Sequence, residues 1–159
     1  MNEFIKILLT IKDFVARVSK AVQFVKDLLP GLKTESEKET YTFESEENGV
    51  STKLKVTHKK SNTSFHIGML LKNDKDEPEL FISINNIDML NNCTYLAATP
   101  LCSGGEECNE NGEMRYFAKE QINEEYFSET TTEDKKDEII EQILTEVAEA
   151  ISNQCSSGE

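Results

Sequence analysis

Tryptophan is absent from this 159-residue chain, and glycine and proline are scarce, at seven and three residues. Glycine-rich loops that cradle phosphates, paired-histidine metal motifs and the strained turn that presents a nucleophilic serine are all missing. Basic residues are also few, with 17 Lys+Arg against 30 Asp+Glu, a formal charge of −13. Such a surface repels phosphate backbones, so direct nucleic acid binding is not expected. Long apolar runs are lacking too. The longest near the N-terminus, Ile7-Leu8-Leu9, falls far short of the ~20 residues that cross a bilayer. Lys6, Lys12 and Asp13 interrupt the same region, and no small-residue cleavage site follows it, so a secretory signal is not expected and a cytoplasmic setting is.

Cysteine is the next sparse type: Cys93, Cys102, Cys108 and Cys155. A chain long enough to bury a core does not need them as a disulfide framework, and reduced thiols are the default. The competing reading is a local Cys102–Cys108 bridge across the loop CSGGEEC. A zinc site wants closely spaced Cys/His pairs, whereas eight residues separate Cys93 from Cys102 with no histidine nearby. Calcium fails on pattern. Counting from Asp74, Glu79 stands where glycine is needed and Asn85 where glutamate is needed. A loop from Glu107 has Gly112 in place but reaches Ala118 instead of glutamate. No metal or other cofactor is expected. Catalysis is not expected either, because Glu106, Glu107 and Glu110 crowd the Cys102/Cys108 loop and negative neighbours disfavour a thiolate.

What is present is periodicity. Phe4, Leu8, Ile11, Val15, Val18, Val22, Val25 and Leu29 recur at alternating steps of four and three, which predicts an amphipathic helix stopped by Pro30-Gly31. Lys6, Lys12, Arg17, Lys20 and Lys26 outnumber Glu3, Asp13 and Asp27 on its polar face. After the polar stretch KTESEKET at 33–40 the period becomes two. Tyr41 and Phe43, a turn at Asn48-Gly49, then Leu54 and Val56 predict a hairpin. Phe65 to Leu71 and Leu80 to Ile84 continue it, and residues 93–98 and 113–118 predict two more strands. Parity puts His58 on the inner face and His66 on the outer, so the two histidines share no ligand. Between 119 and 131 the expectation is a loop or an edge strand near Tyr126-Phe127. Thr131 or Thr132 then caps a helix whose stripe is Ile140, Ile143, Leu144, Val147 and Ile151.

The expected fold is therefore α+β: an N-terminal amphipathic helix, an antiparallel β-meander of five or six strands and an acidic C-terminal helix. The expected divisions are the helix at 1–32, a linker at 33–40, the sheet and last helix at 41–152 forming one domain with the first helix, and a flexible tail at 153–159. Residues 120–159 hold twelve Asp/Glu and two Lys, a clustering beyond what solubility requires. The leading expectation is a non-catalytic protein–protein interaction module of an inhibitor, immunity or chaperone type, docking on a partner with a basic surface. Glu133, Asp137, Glu138 and Glu141 are the candidate charges, and Val15, Val18, Val22 and Val25 the candidate helix contacts. Self-association through residues 3–29 fits the same spacing. The alternative is a membrane-surface protein that uses its cationic N-terminal helix.

Overall fold

The computed structural model describes residues 3–35, 50–72, 75–85, 90, 93–97, 101–102 and 114–157. Helix α1 (Glu3–Val25) opens the chain. Turns at residues 26–31 follow, so α1 ends about a turn before the Pro30 stop. Among the described residues, six strands form one sheet: β1 (Leu32–Glu35), β2 (Ser51–His58), β3 (Thr63–Leu70), β4 (Glu79–Ile84), β5 (Leu101–Cys102) and β6 (Met114–Phe117). Helices α2 (Glu120–Tyr126) and α3 (Glu133–Ser157) close the chain. The architecture is α+β.

All pairings are antiparallel, and the strand order is β1-β2-β3-β4-β6-β5. Strands β1 to β4 follow one another as a meander, and β2, β3 and β4 are the strands expected at Leu54–Val56, Phe65–Leu71 and Leu80–Ile84. The far edge departs from it, because β6 takes the place beside β4 and leaves β5 outside. Both edge strands are short, which limits unwanted edge-to-edge pairing.

Several boundaries differ from the sequence reading. Residues 33–35, expected in the linker, belong to β1 and pair with Thr57, Val56 and Lys55. Residues 93–97 form no strand and make only an isolated bridge, Leu96 to Ala118. Helix α2 occupies the stretch expected as loop or edge strand. Its Asn123 accepts a hydrogen bond from the Leu80 amide at 2.9 Å and donates one to the Ala118 carbonyl at 3.2 Å, which fastens α2 to the sheet. The backbone of α3 stays helical through residues 153–157, expected as tail. The Tyr41–Phe43 strand, the Asn48-Gly49 turn and the Cys102–Cys108 bridge lie outside the described residues or side chains.

The register explains the core. Leu54, Ile67, Ile82 and Tyr116 stand in one row across four strands. Each is at most 2% exposed. The row belongs to a single buried cluster with Phe14, Val18 and Val22 of α1 and Ile140, Leu144 and Val147 of α3. The two long amphipathic helices thus supply the covering layer that a sheet with an apolar face requires. Thr132 is the cap of α3: its hydroxyl accepts the Lys135 amide at 3.1 Å, with Glu133 and Asp134 in the first turn.

Candidate functional site

The valine set of α1 comes first, because it decides what the helix has left to offer. Val18, Val22 and Val25 are at most 1% exposed, and Val15 packs partly buried against the same cluster. Steps of three and four put them on one face, and that face is used inside the fold.

Where α1 meets α3, charge replaces hydrocarbon. The Arg17 guanidinium donates to Asp137 Oδ1 at 2.7 Å, to the Glu133 carbonyl at 3.1 Å and to both oxygens of Asp13 at 2.9 and 3.1 Å. Lys20 Nζ donates to Asp137 Oδ2 at 2.8 Å. Burial opposes the charge on Asp137, but the hydrogen bonds from Lys20 and Arg17 outweigh it and hold the carboxyl below its usual range. Arg17 also loses hydration, and the carboxylates of Asp13 and Asp137 more than compensate, leaving it firmly protonated. Tyr126 closes the seam, its phenol pushed up to about 12 chiefly by burial. Asp137 is therefore tied into the fold.

The other acidic candidates stand differently. Glu133 and Glu138 are exposed and Glu141 is half-buried. Burial, and then the charge of Asp137, raises the Glu141 pKa. Asp134, Glu138, Glu141 and Glu149 follow one another at steps of four, three and eight, which aligns them along one side of α3 as an acidic ridge. Glu146 is drawn off this ridge: its carboxylate accepts the Thr94 and Tyr95 amides at 2.5 and 2.9 Å.

Sequence periodicity missed an apolar set. Ile5, Leu9, Phe24 and Leu28 are large hydrophobic side chains with 46%, 51%, 56% and 62% exposure. Ile5, Leu9 and Phe24 fall outside the four-three stripe, and that off-stripe position was the signal available in the sequence. Phe24 stands one turn beyond Lys20, whose Nζ reaches Asp137, and so lies on the flank of α1 that faces α3.

No family model, curated protein or solved structure matches this chain.

Two reactive side chains lie buried elsewhere. Cys93 donates through Sγ to the Leu90 carbonyl at 3.1 Å, and burial raises its thiol to about 11. His58 is 2% exposed and shares a 2.8 Å hydrogen bond between Nδ1 and Ser61 Oγ. His66 pairs across the sheet with Lys55 and Ser83 on the outer face, as parity requires. Burial, then the nearby Lys60 charge, lowers the His58 pKa. The unfolded chain therefore binds this proton more tightly, so stability is lost as the pH falls from about 6.5 toward the lower folded value. In an NMR titration, the His58 ring protons are expected to shift with a midpoint below about 6.5. A midpoint at or above that value contradicts the buried, neutral imidazole.

Among the described residues, no three His, Cys, Asp or Glu side chains group as metal ligands would, and no helix is long and apolar enough to cross a membrane.

Proposed function

We propose that the protein is a non-catalytic interaction module that masks, inhibits or assembles a protein partner with a basic surface. The observation that carries this reading is the exposed pair Phe24 and Leu28 at the end of α1, with Ile5 and Leu9 exposed at its start ~28 Å away, on a helix whose valine face is sealed in the core. Exposed apolar side chains grouped on one element mark contact surfaces, and a large aromatic is the residue type that most often anchors them. Phe24 supplies that anchor. On the neighbouring helix α3, the ridge of Asp134, Glu138 and Glu149 supplies a charged rim that orients a basic partner and raises its association rate.

The membrane-surface alternative draws on Ile5 and Leu9 beside exposed Lys6 and Lys12. It is the weaker reading. The broad apolar face it would insert, including Phe14, Val18 and Val22, is already buried, and undocking costs about 1.5–3 kcal/mol for each such side chain.

The test compares the full chain with Phe24→Ser and with Glu138→Lys/Glu149→Lys, all immobilised and offered the soluble proteins of the source cell. A bound partner is expected to elute as salt rises from about 50 to about 500 mM. Both variants are expected to lose it while their circular dichroism stays unchanged. Retention of the same partner by both variants refutes the surface. Flotation of the full chain with anionic liposomes, abolished by Lys6→Glu/Lys12→Glu, would transfer the assignment to a membrane.

A further inference from the structure

We propose that the open edge of β1 pairs with the β1 edge of a second copy, in an antiparallel two-fold contact centred on Thr34 that joins two sheets into one. Strand β1 stands at the end of the sheet, with β2 on one side and no strand on the other among the described residues. An open edge is a template for further pairing, and the register and side chains decide what it accepts.

The ladder within the sheet settles which main-chain groups face outward. The Lys59 amide donates to the Gly31 carbonyl at 2.9 Å, and the Leu71 amide donates to the Val50 carbonyl at 2.8 Å. Bonded pairs alternate along an antiparallel ladder, so Thr52, Leu54 and Val56 turn their main-chain groups to β3 while Lys55 and Thr57 turn theirs to β1. Glu35 and Lys33 are the partners of those two and are thereby occupied. Thr34, between them, turns its N–H and C=O to the open edge. Two copies related by an axis through Thr34 exchange both hydrogen bonds at that residue.

In this register Lys33 of each copy stands opposite the partner's Glu35. Moving the axis by one residue sets Lys33 against the partner's Lys33, or Glu35 against the partner's Glu35, and like charges directly opposite are unfavourable. The charges therefore select the Thr34-centred pairing. Lys33 and Glu35 also meet within their own strand at 3.5 Å, so each of the four charges in the dimer has an opposite charge on two sides.

The Thr34 side chain supplies an independent observation. It shares the inner face with Val56, its cross-strand partner, and its Oγ1 is buried without a hydrogen-bond partner. A buried hydroxyl left unpaired carries a free-energy cost. Opposite the partner's Thr34 it meets a hydroxyl that can donate and accept, the contact that Thr57 and Ser64 make across β2 and β3 at 3.0 Å. The two-fold axis runs normal to the sheet, so both helix layers lie on one side of it. The edge lies on the Ser19 and Gln23 side of α1, away from the Arg17 seam, and the contact stands independently of the protein-partner reading.

Sedimentation equilibrium of the full chain tests the assignment. An edge of four residues makes a weak contact, so a reversible monomer–dimer equilibrium is expected between about 5 and about 500 μM. Each copy carries a formal charge of −13, so the measurement belongs at about 150 mM salt, where repulsion is screened beyond about 8 Å. Thr34→Pro removes the outward N–H without touching a bond between β1 and β2, and it is expected to give a monomer of unchanged circular dichroism. Lys33→Glu and Glu35→Lys each place like charges across the seam and are expected to weaken the dimer about tenfold or more. Mixed one to one, these two variants regain opposite charges across the seam and are expected to pair with each other. That mixture carries the test even where Thr34→Pro disturbs the fold. A monomer throughout the range, a dimer kept by a natively folded Thr34→Pro, or a mixture no heavier than its components overturns the proposal. A dimer dissolved by Phe24→Ser would assign self-association to the exposed apolar residues of α1 and overturn it equally.

Discussion

Replacing Asp137 by alanine is expected to lower the unfolding free energy by about 3 kcal/mol, measured by urea denaturation at neutral pH. The side chains of Arg17 and Asp137 are 5% and 13% exposed, so solvent cannot replace the lost carboxylate at the guanidinium. The value sits at the low end for a broken buried pair because Asp13 keeps its two bonds to Arg17. Replacing both partners with apolar residues, Arg17→Met with Asp137→Leu, is expected to cost less than Asp137→Ala alone. The desolvation penalty of the two charges then disappears along with their attraction. A loss below about 1 kcal/mol for Asp137→Ala would show the seam behaving as an exposed ion pair and defeat the argument.

The same carboxylate sets an acid limit on stability. Its folded pKa lies below the unfolded value, so its contribution is complete above about pH 3.9 and disappears as the pH falls through the folded pKa. The stability curves of the unaltered chain and Asp137→Ala should converge in that acidic window. Glu141 acts in the opposite sense. Its raised pKa means that the folded state holds the proton more tightly, and stability from this group declines as the pH rises through the shifted value. Charge substitutions on α3 therefore divide by position: those at Asp137 break a buried seam, while Glu138 makes only exposed contacts, to Lys135 and Gln142 at 3.3 Å, and Glu149 is exposed.

That division was not legible in the sequence. Periodicity located both long helices, and alternation located the two-residue rhythm of β2, β3 and β4, because burying one face imposes those periods directly. It also placed His58 inside and His66 outside. Strand β1 was invisible because Lys33, Thr34 and Glu35 carry no alternating apolar signal, and the strand exists through pairing with β2. Helix α2 was hidden for a related reason. With seven residues it is too short to show a stripe, and it is held by Asn123 reaching the ends of β4 and β6. For the acidic helix, composition registered the charge of Asp137 and Glu138 alike. Only the position of Arg17 on the neighbouring helix separates an internal partner from a solvent-facing one.

Gly68→Ala is expected to destabilise the protein by about 2–3 kcal/mol, a large effect for one methyl group. Gly68 pairs with Phe81 across β3 and β4 on the outer face of the sheet. A Cβ at Gly68 would lie 2.2 Å from Phe81 Cζ and 2.7 Å from both Cε atoms, so the ring lies directly over the glycine. It cannot swing clear at little cost. The Arg115 guanidinium stacks 4.2 Å from its centroid, and Phe117 meets it edge-on at 6.3 Å. Phe81 is only 1% exposed for a residue on the face away from the helices. Here the ring provides the packing that the glycine lacks, and the glycine provides the space the ring needs. Phe81→Ala alone is expected to cost about 3–5 kcal/mol through the lost burial. In that background Gly68→Ala should become neutral or stabilising, since alanine restricts the unfolded chain more than glycine does. Coupling of this sign in a double-mutant cycle, well above the ~0.5 kcal/mol seen between independent sites, is the decisive reading. Additive losses would mean that Gly68 matters for its backbone and not for the ring above it.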